Sequence, residues 1–170
     1  MRVRVKPNGR SNLVRPGAGK RILVVNDTQE ILELFREILE EMGFAVEIMS
    51  YAPRELEQIR AVEPDIVILD LIFGPRELEG WQLLQKLRMD RQFESLPVIV
   101  CSAAVREVAE QEGYLTEQGV LIVLKPFTVA QLEEAVRRAV KMADQREAPV
   151  STTAAGRSRR SARQSGEGQA

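Results

Sequence analysis

The chain has no histidine among its 170 residues. That removes imidazole as general base, as phosphoryl carrier and as metal ligand, and with it the serine-histidine triads and most zinc sites. There is one cysteine, Cys101, so no internal disulfide can form. Its setting in the apolar run Val98 to Cys101 is that of a reduced core thiol. No stretch reaches the roughly 18 consecutive apolar residues that a membrane span needs. The N-terminus is charged but lacks an apolar signal region, so no secretory leader is expected and the cytoplasm is the expected location. Missing too is a glycine-rich phosphate loop after the first apolar run. That turn reads Asn26-Asp27-Thr28, which ranks a nucleotide-binding α/β enzyme last.

Charge, by contrast, is plentiful and partitioned. Arg2, Arg4, Lys6, Arg10, Arg15, Lys20 and Arg21 stand against no acid in residues 1–21, and Arg157, Arg159, Arg160 and Arg163 stand against Glu167 alone in 148–170. Residues 22–147 carry 13 basic and 24 acidic side chains, a net of −11 hidden under an overall −1. An acidic folded unit between two basic, solvated arms is the expected organisation: a disordered arm over 1–19, one domain over 20–145 and a disordered Ser/Arg/Gly-rich tail over 146–170. The arms lack interleaved aromatics and any helix-turn-helix, so sequence-specific DNA binding is not expected of them. With 44% hydrophobic residues the middle can bury a core of its own.

Along that middle, apolar runs and helical periodicities alternate. Ile22 to Val25, Phe44 to Met49, Asp65 to Leu71, Val98 to Cys101 and Val120 to Leu124 read as strands. Of the six residues Ile66 to Leu71 all but Asp70 are aliphatic, the habit of a strand buried on both faces of a parallel sheet. Between the strands, Ile31, Leu34, Phe35, Ile38, Leu39 and Met42 recur at helical spacing before a stop at Gly43. Pro53 suits the first turn of a short second helix, Trp81 to Leu87 carry a third, Gly113 weakens a fourth, and Thr128 with Gln131 forms a capping box for the last. Strand–helix pairs of this length call for right-handed crossovers and an α/β, doubly wound parallel sheet of five strands.

In such a sheet the strand ends share one edge, where ligands collect. Asn26 and Asp27 end the first strand, Asp70 the third, Ser102 the fourth and Lys125 the fifth. Alone, Asp27 or Ser102 could be a helix cap and Lys125 a surface lysine. Together they form, in outline, a phosphate and hard-metal site: neighbouring carboxylates repel, a divalent ion such as Mg²⁺ relieves the repulsion, and the ammonium and hydroxyl suit phosphoryl oxygens.

The pieces Val24-Val25-Asn26-Asp27, Ile68-Leu69-Asp70-Leu71, Pro97 to Ala103 and Leu124-Lys125-Pro126-Phe127, in this order, closely resemble the receiver domain of two-component response regulators. The resemblance covers about residues 20–143 and implies a flavodoxin-like (βα)5 fold with strand order 2-1-3-4-5. It implies that Asp70 accepts a phosphoryl group from a histidine kinase or phosphotransfer protein, and that Ser102 and Lys125 bind the phosphoryl oxygens. Mg²⁺ would be held by Asp27, Asp70 and the backbone carbonyl of Ile72, with Asn26 acting through water. Asn26 stands where the family usually has an acid. Ile122 stands where many receivers keep an aromatic residue, Asp70 to Gly80 is two residues longer than usual, and neither Ile72 nor Ala104 can hydrogen-bond an attacking water.

The resulting expectation is a receiver without an attached output domain, a phosphoprotein rather than an enzyme in the ordinary sense. It would signal to a downstream protein not named by the sequence, and a homodimer is one form this could take. The rival expectation is a receiver-like interaction scaffold that no longer depends on phosphorylation, favoured by Asn26 and Ile122 and opposed by the retained Asp27, Asp70, Ser102 and Lys125.

Overall fold

The computed structural model describes residues 19–74, 79–103 and 105–147. They form β1 (Arg21–Val25), α1 (Gln29–Glu41), β2 (Ala45–Met49), α2 (Glu57–Val62), β3 (Ile66–Leu69), α3 (Glu79–Met89), β4 (Val98–Ser102), α4 (Val105–Glu117), β5 (Val120–Leu124) and α5 (Val129–Glu147). All strand pairs are parallel and their order is β2-β1-β3-β4-β5. This is the doubly wound sheet expected from the alternation of strands and helices.

The two-residue repeat of each strand divides its side chains between two cores. Ile22, Val24, Ile66, Ile68, Ile99 and Cys101 pack with α1 and α5 on one face. Leu23, Val25, Val67, Leu69, Val98 and Val100 pack with α2, α3 and α4 on the other. Every residue of β3 and β4 is buried, which is why both strands read as unbroken apolar runs. The edge strand β2 is only partly covered.

Two helices depart from expectation in detail, and the fourth forms as expected. In α1 the predicted Phe35, Ile38 and Leu39 are buried and Ile31 and Met42 pack against the same core, but Leu34 is 43% exposed and Leu32 is buried in its place. It ends as predicted at Gly43, whose φ of 95° lets the Gly43 and Phe44 N–H groups reach back to the Glu40 and Leu39 carbonyls. α2 begins at Glu57 rather than at Pro53. Pro53 is buried, the Arg54 carbonyl is taken by Lys86 Nζ at 2.7 Å, and the first helical bond runs from Arg60 N–H to Leu56 O. α4 runs through Gly113 without a break.

The predicted capping box is present: Thr128 N–H donates to Gln131 Oε1 at 2.9 Å and Gln131 N–H to Thr128 Oγ1 at 3.2 Å. α5 continues through Arg146 and Glu147, which the sequence had assigned to the tail. The rest of that tail, all of the N-terminal arm except Gly19, residues 75–78 of the β3–α3 loop, and Ala104 lie outside the described residues.

Candidate functional site

Because all five strands run the same way, their C-terminal ends meet at one edge of the sheet. The register pairs Val25 with Leu69, so the next residues, Asn26 and Asp70, fall side by side. β4 and β5 pair Ser102 with Leu124, which sets Lys125 beside the Ser102 main chain, and Lys125 N–H donates to Ser102 O at 2.9 Å. The peptide bond between Lys125 and Pro126 is cis.

Asp70 is the centre of this edge and is only 6% exposed. Three donors converge on its carboxyl group. Oδ1 accepts the Ile72 N–H at 3.1 Å; Oδ2 accepts Asn26 Nδ2 at 3.0 Å and also the ammonium of Lys125, with which it forms an ion pair. A buried carboxyl group is costly unless its lone pairs are used, and these contacts use both oxygens. Ser102 is fully buried at the neighbouring strand end.

Asp27 differs in character. It is exposed, its Oδ1 accepts the Thr28 hydroxyl at 3.3 Å, and its Oδ2 lies 3.7 Å from where a Cβ on Gly74 would stand, so the turn after β3 backs onto it. Thr28, not Asp27, is the N-cap of α1, which disposes of the capping alternative for this acid. Asn26 is the most buried of the set after Ser102, at 1% exposure. Its Oδ1 accepts the Thr28 N–H at 2.8 Å while its amide nitrogen faces Asp70 directly.

Two main-chain features complete the site. One is the Thr28 main chain, which fixes the Asn26 amide. The other is Gly80 in the first turn of α3: a Cβ there would lie 2.3 Å from the Asp70 carbonyl oxygen and 2.5 Å from Leu71 Cα. Only a glycine lets α3 start that close to the end of β3. The interval from Asp70 to Gly80 marked this glycine in the sequence; the main-chain contact it permits was not legible there. Beneath the site, burial pushes the Cys101 thiol up to about 12, with the Lys125 charge opposing and the Asp70 charge adding to the shift. It is inert core, as the sequence implied.

For a cation, the oxygens of Asp27, Asp70 and the Ile72 carbonyl are hard donors of the kind Mg²⁺ takes. Among the described residues no group of three or more His, Cys, Asp or Glu could hold a metal, so the side chains offer a metal two carboxylates at most. The donor types fit the ion; the amide nitrogen that Asn26 presents does not.

Residues 22–137 match the response regulator receiver domain family. The chain belongs to that family. Over 117 residues it is 32% identical to response regulator Rre1 of Synechocystis sp., covering 68% of this chain and 49% of that protein. Over 122 residues it is 31% identical to hybrid signal transduction histidine kinase D of Dictyostelium discoideum, covering 71% of this chain but 7% of the kinase. The crystal structure of a CheY-like response regulator receiver domain protein from Methanospirillum hungatei JF-1 superposes with a TM-score of 0.63 at 25% identity, covering 75% of this chain and 98% of that one. The receiver thus spans half or less of the length of these curated relatives. No helix among the described residues is long and apolar enough to cross a membrane.

Proposed function

We propose that this receiver domain takes a phosphoryl group onto Asp70 from the phosphohistidine of a kinase or phosphotransfer protein and passes the change to a downstream protein. Receiver domains are signalling domains rather than enzymes in the ordinary sense, and they generally use Mg²⁺ at the phosphorylation site. What supports the reading here is the convergence on one buried carboxyl group of Lys125, Asn26 and the Ile72 N–H, with Ser102 at the next strand end.

In this reading an Asp70 oxygen attacks phosphorus, the phosphorus–nitrogen bond to the donor imidazole breaks, and the imidazole leaves and recovers its proton from solvent. Lys125 then trades its Asp70 partner for phosphoryl oxygens, and the Ser102 hydroxyl donates to another. Both act as fixed donors where negative charge builds up. Asp27, Asp70 and the Ile72 carbonyl would hold Mg²⁺, which supplies positive charge between the carboxylates and the incoming oxygens. The readout surface is the β4–α4–β5–α5 side, because Ser102 and Lys125 belong to β4 and the end of β5.

Intact-protein mass after incubation with Mg²⁺ and acetyl phosphate, beside Asp70→Asn, tests the assignment. An increment of about 80 Da, absent in Asp70→Asn, is expected. No increment in a folded protein would return the reading to a phosphorylation-independent scaffold.

A further inference from the structure

Asn26 is the part of the site whose chemistry differs from its neighbours'. It is an amide at 1% exposure among groups that would attract a cation, and both of its ends are committed. The Thr28 N–H that it accepts at 2.8 Å belongs to the N-cap of α1 and is held in place by the helix, whose Ile31 and Leu32 N–H groups bond to Thr28 O. An acceptor facing that N–H must be the amide oxygen. The nitrogen therefore faces Asp70, and it donates to Oδ2 at 3.0 Å. Turning the amide over would set its NH₂ against the Thr28 N–H and its oxygen against the Asp70 carboxyl group, losing two hydrogen bonds in a buried place.

We propose that Asn26 is a positioning residue that holds Asp70 in its acceptor orientation from within the chain and competes with a divalent cation for Asp70 Oδ2. This rests on the acceptor role proposed for Asp70. The amide N–H end supplies, without any ion, part of the positive potential that a cation would bring to that oxygen. A cation that binds Asp70 through Oδ2 displaces the Asn26 donor from it, so the amide weakens metal binding instead of aiding it through water. Acceptor orientation and metal binding are coupled through this one oxygen: without the ion Asp70 is clamped by Ile72 N–H, Asn26 and Lys125, and an ion on Oδ2 releases the Asn26 part of the clamp.

The test is a Mg²⁺ titration of the full chain followed by ¹H–¹⁵N NMR, reading the Asp70 and Ile72 backbone amides and the Asn26 side-chain NH₂. Asn26→Ala removes the competing donor and adds no charge, and about a threefold tighter Mg²⁺ midpoint than wild type is expected. An equal or weaker midpoint overturns the proposal, since a residue that served the ion through water would be missed. The wild type gives an independent measurement should Asn26→Ala fold poorly. Its Asn26 NH₂ resonances must move with the same midpoint as the Asp70 and Ile72 amides, and NH₂ resonances that stay put while those amides titrate also overturn the proposal. Mass spectrometry of the same samples with acetyl phosphate keeps the two readings apart. If Asp70 gains no phosphoryl group the acceptor assignment fails, whereas the order of the Mg²⁺ midpoints decides the role of Asn26 either way.

Discussion

Gly80 lies against the Asp70 main chain so closely that a single added methyl group would fall 2.3 Å from the Asp70 carbonyl oxygen. In most helices replacing glycine by alanine gains about 1 kcal/mol. Here the clash is with backbone, which cannot swing aside, and overpacking of that kind costs about 1–3 kcal/mol or more. Gly80→Ala is therefore expected to destabilise the domain and to slow phosphorylation of Asp70, as read by urea unfolding and by mass. Gly113, in the exposed middle of α4 with nothing within 4 Å of its missing Cβ, is the control. Gly113→Ala should stabilise by about 0.5–1 kcal/mol.

The Cys101 thiol, pushed by burial from an ordinary value of 9.0 to about 12, is held in its protonated form by the fold. A raised value means that the stabilisation is whole below pH 9 and is lost as the pH climbs towards 12. Urea unfolding should show the wild type losing stability relative to Cys101→Ala between pH 9 and 11. At pH 8, iodoacetamide should leave the folded protein unmodified and alkylate it at one site once it is unfolded, as counted by mass.

Arg60 ties α2 to the turn after α3. Its guanidinium bonds to Glu57, Asp90 and Gln92 and lies 5.6 Å from the centre of the Phe93 ring. The side chain is 36% exposed, so solvent screens each ion pair to about 0–1 kcal/mol. Lysine lacks the planar fork that reaches these partners at once. Arg60→Lys should cost nearly as much as Arg60→Ala, about 1–2 kcal/mol. A double-mutant cycle with Asp90→Ala should give a coupling below about 1 kcal/mol.

Once formed, the phosphorylated state should be slow to hydrolyse by itself. Ile72, two residues beyond Asp70, has an apolar side chain that cannot orient an attacking water, and positioning is most of what a protein can contribute to this reaction. The mass increment on Asp70 should persist for minutes or longer after removal of acetyl phosphate. Ile72→Asn, which adds a group able to hydrogen-bond water, should shorten its lifetime several-fold.

The sheet was readable because β3 and β4 are buried on both faces, so their sequence is apolar without interruption whatever packs on them. The four strand-end residues Asp27, Asp70, Ser102 and Lys125 were readable because a parallel sheet sends every strand end to the same edge. Elements set by single tertiary contacts were harder to see. The Lys86 bond to the Arg54 carbonyl delays α2 by a turn, and nothing near Pro53 announces it. Leu32 and Leu34 are alike in composition, and only the docked face of α1 separates a buried side chain from an exposed one. The Asn26 contact with Asp70, 44 residues apart in sequence, needs both the β1–β3 register and the Thr28 main chain at the start of α1.

Asp70 and the lysine that pairs with it are separated by 55 residues, and the lysine follows the last strand. On a ribosome adding about 5–20 residues per second, the acid emerges seconds before its ammonium partner exists. A nascent chain that has laid down β1 to β4 holds the Asp70 carboxyl group without the ammonium that pairs with it. The ion pair at the sheet edge therefore closes only once β5 has been made.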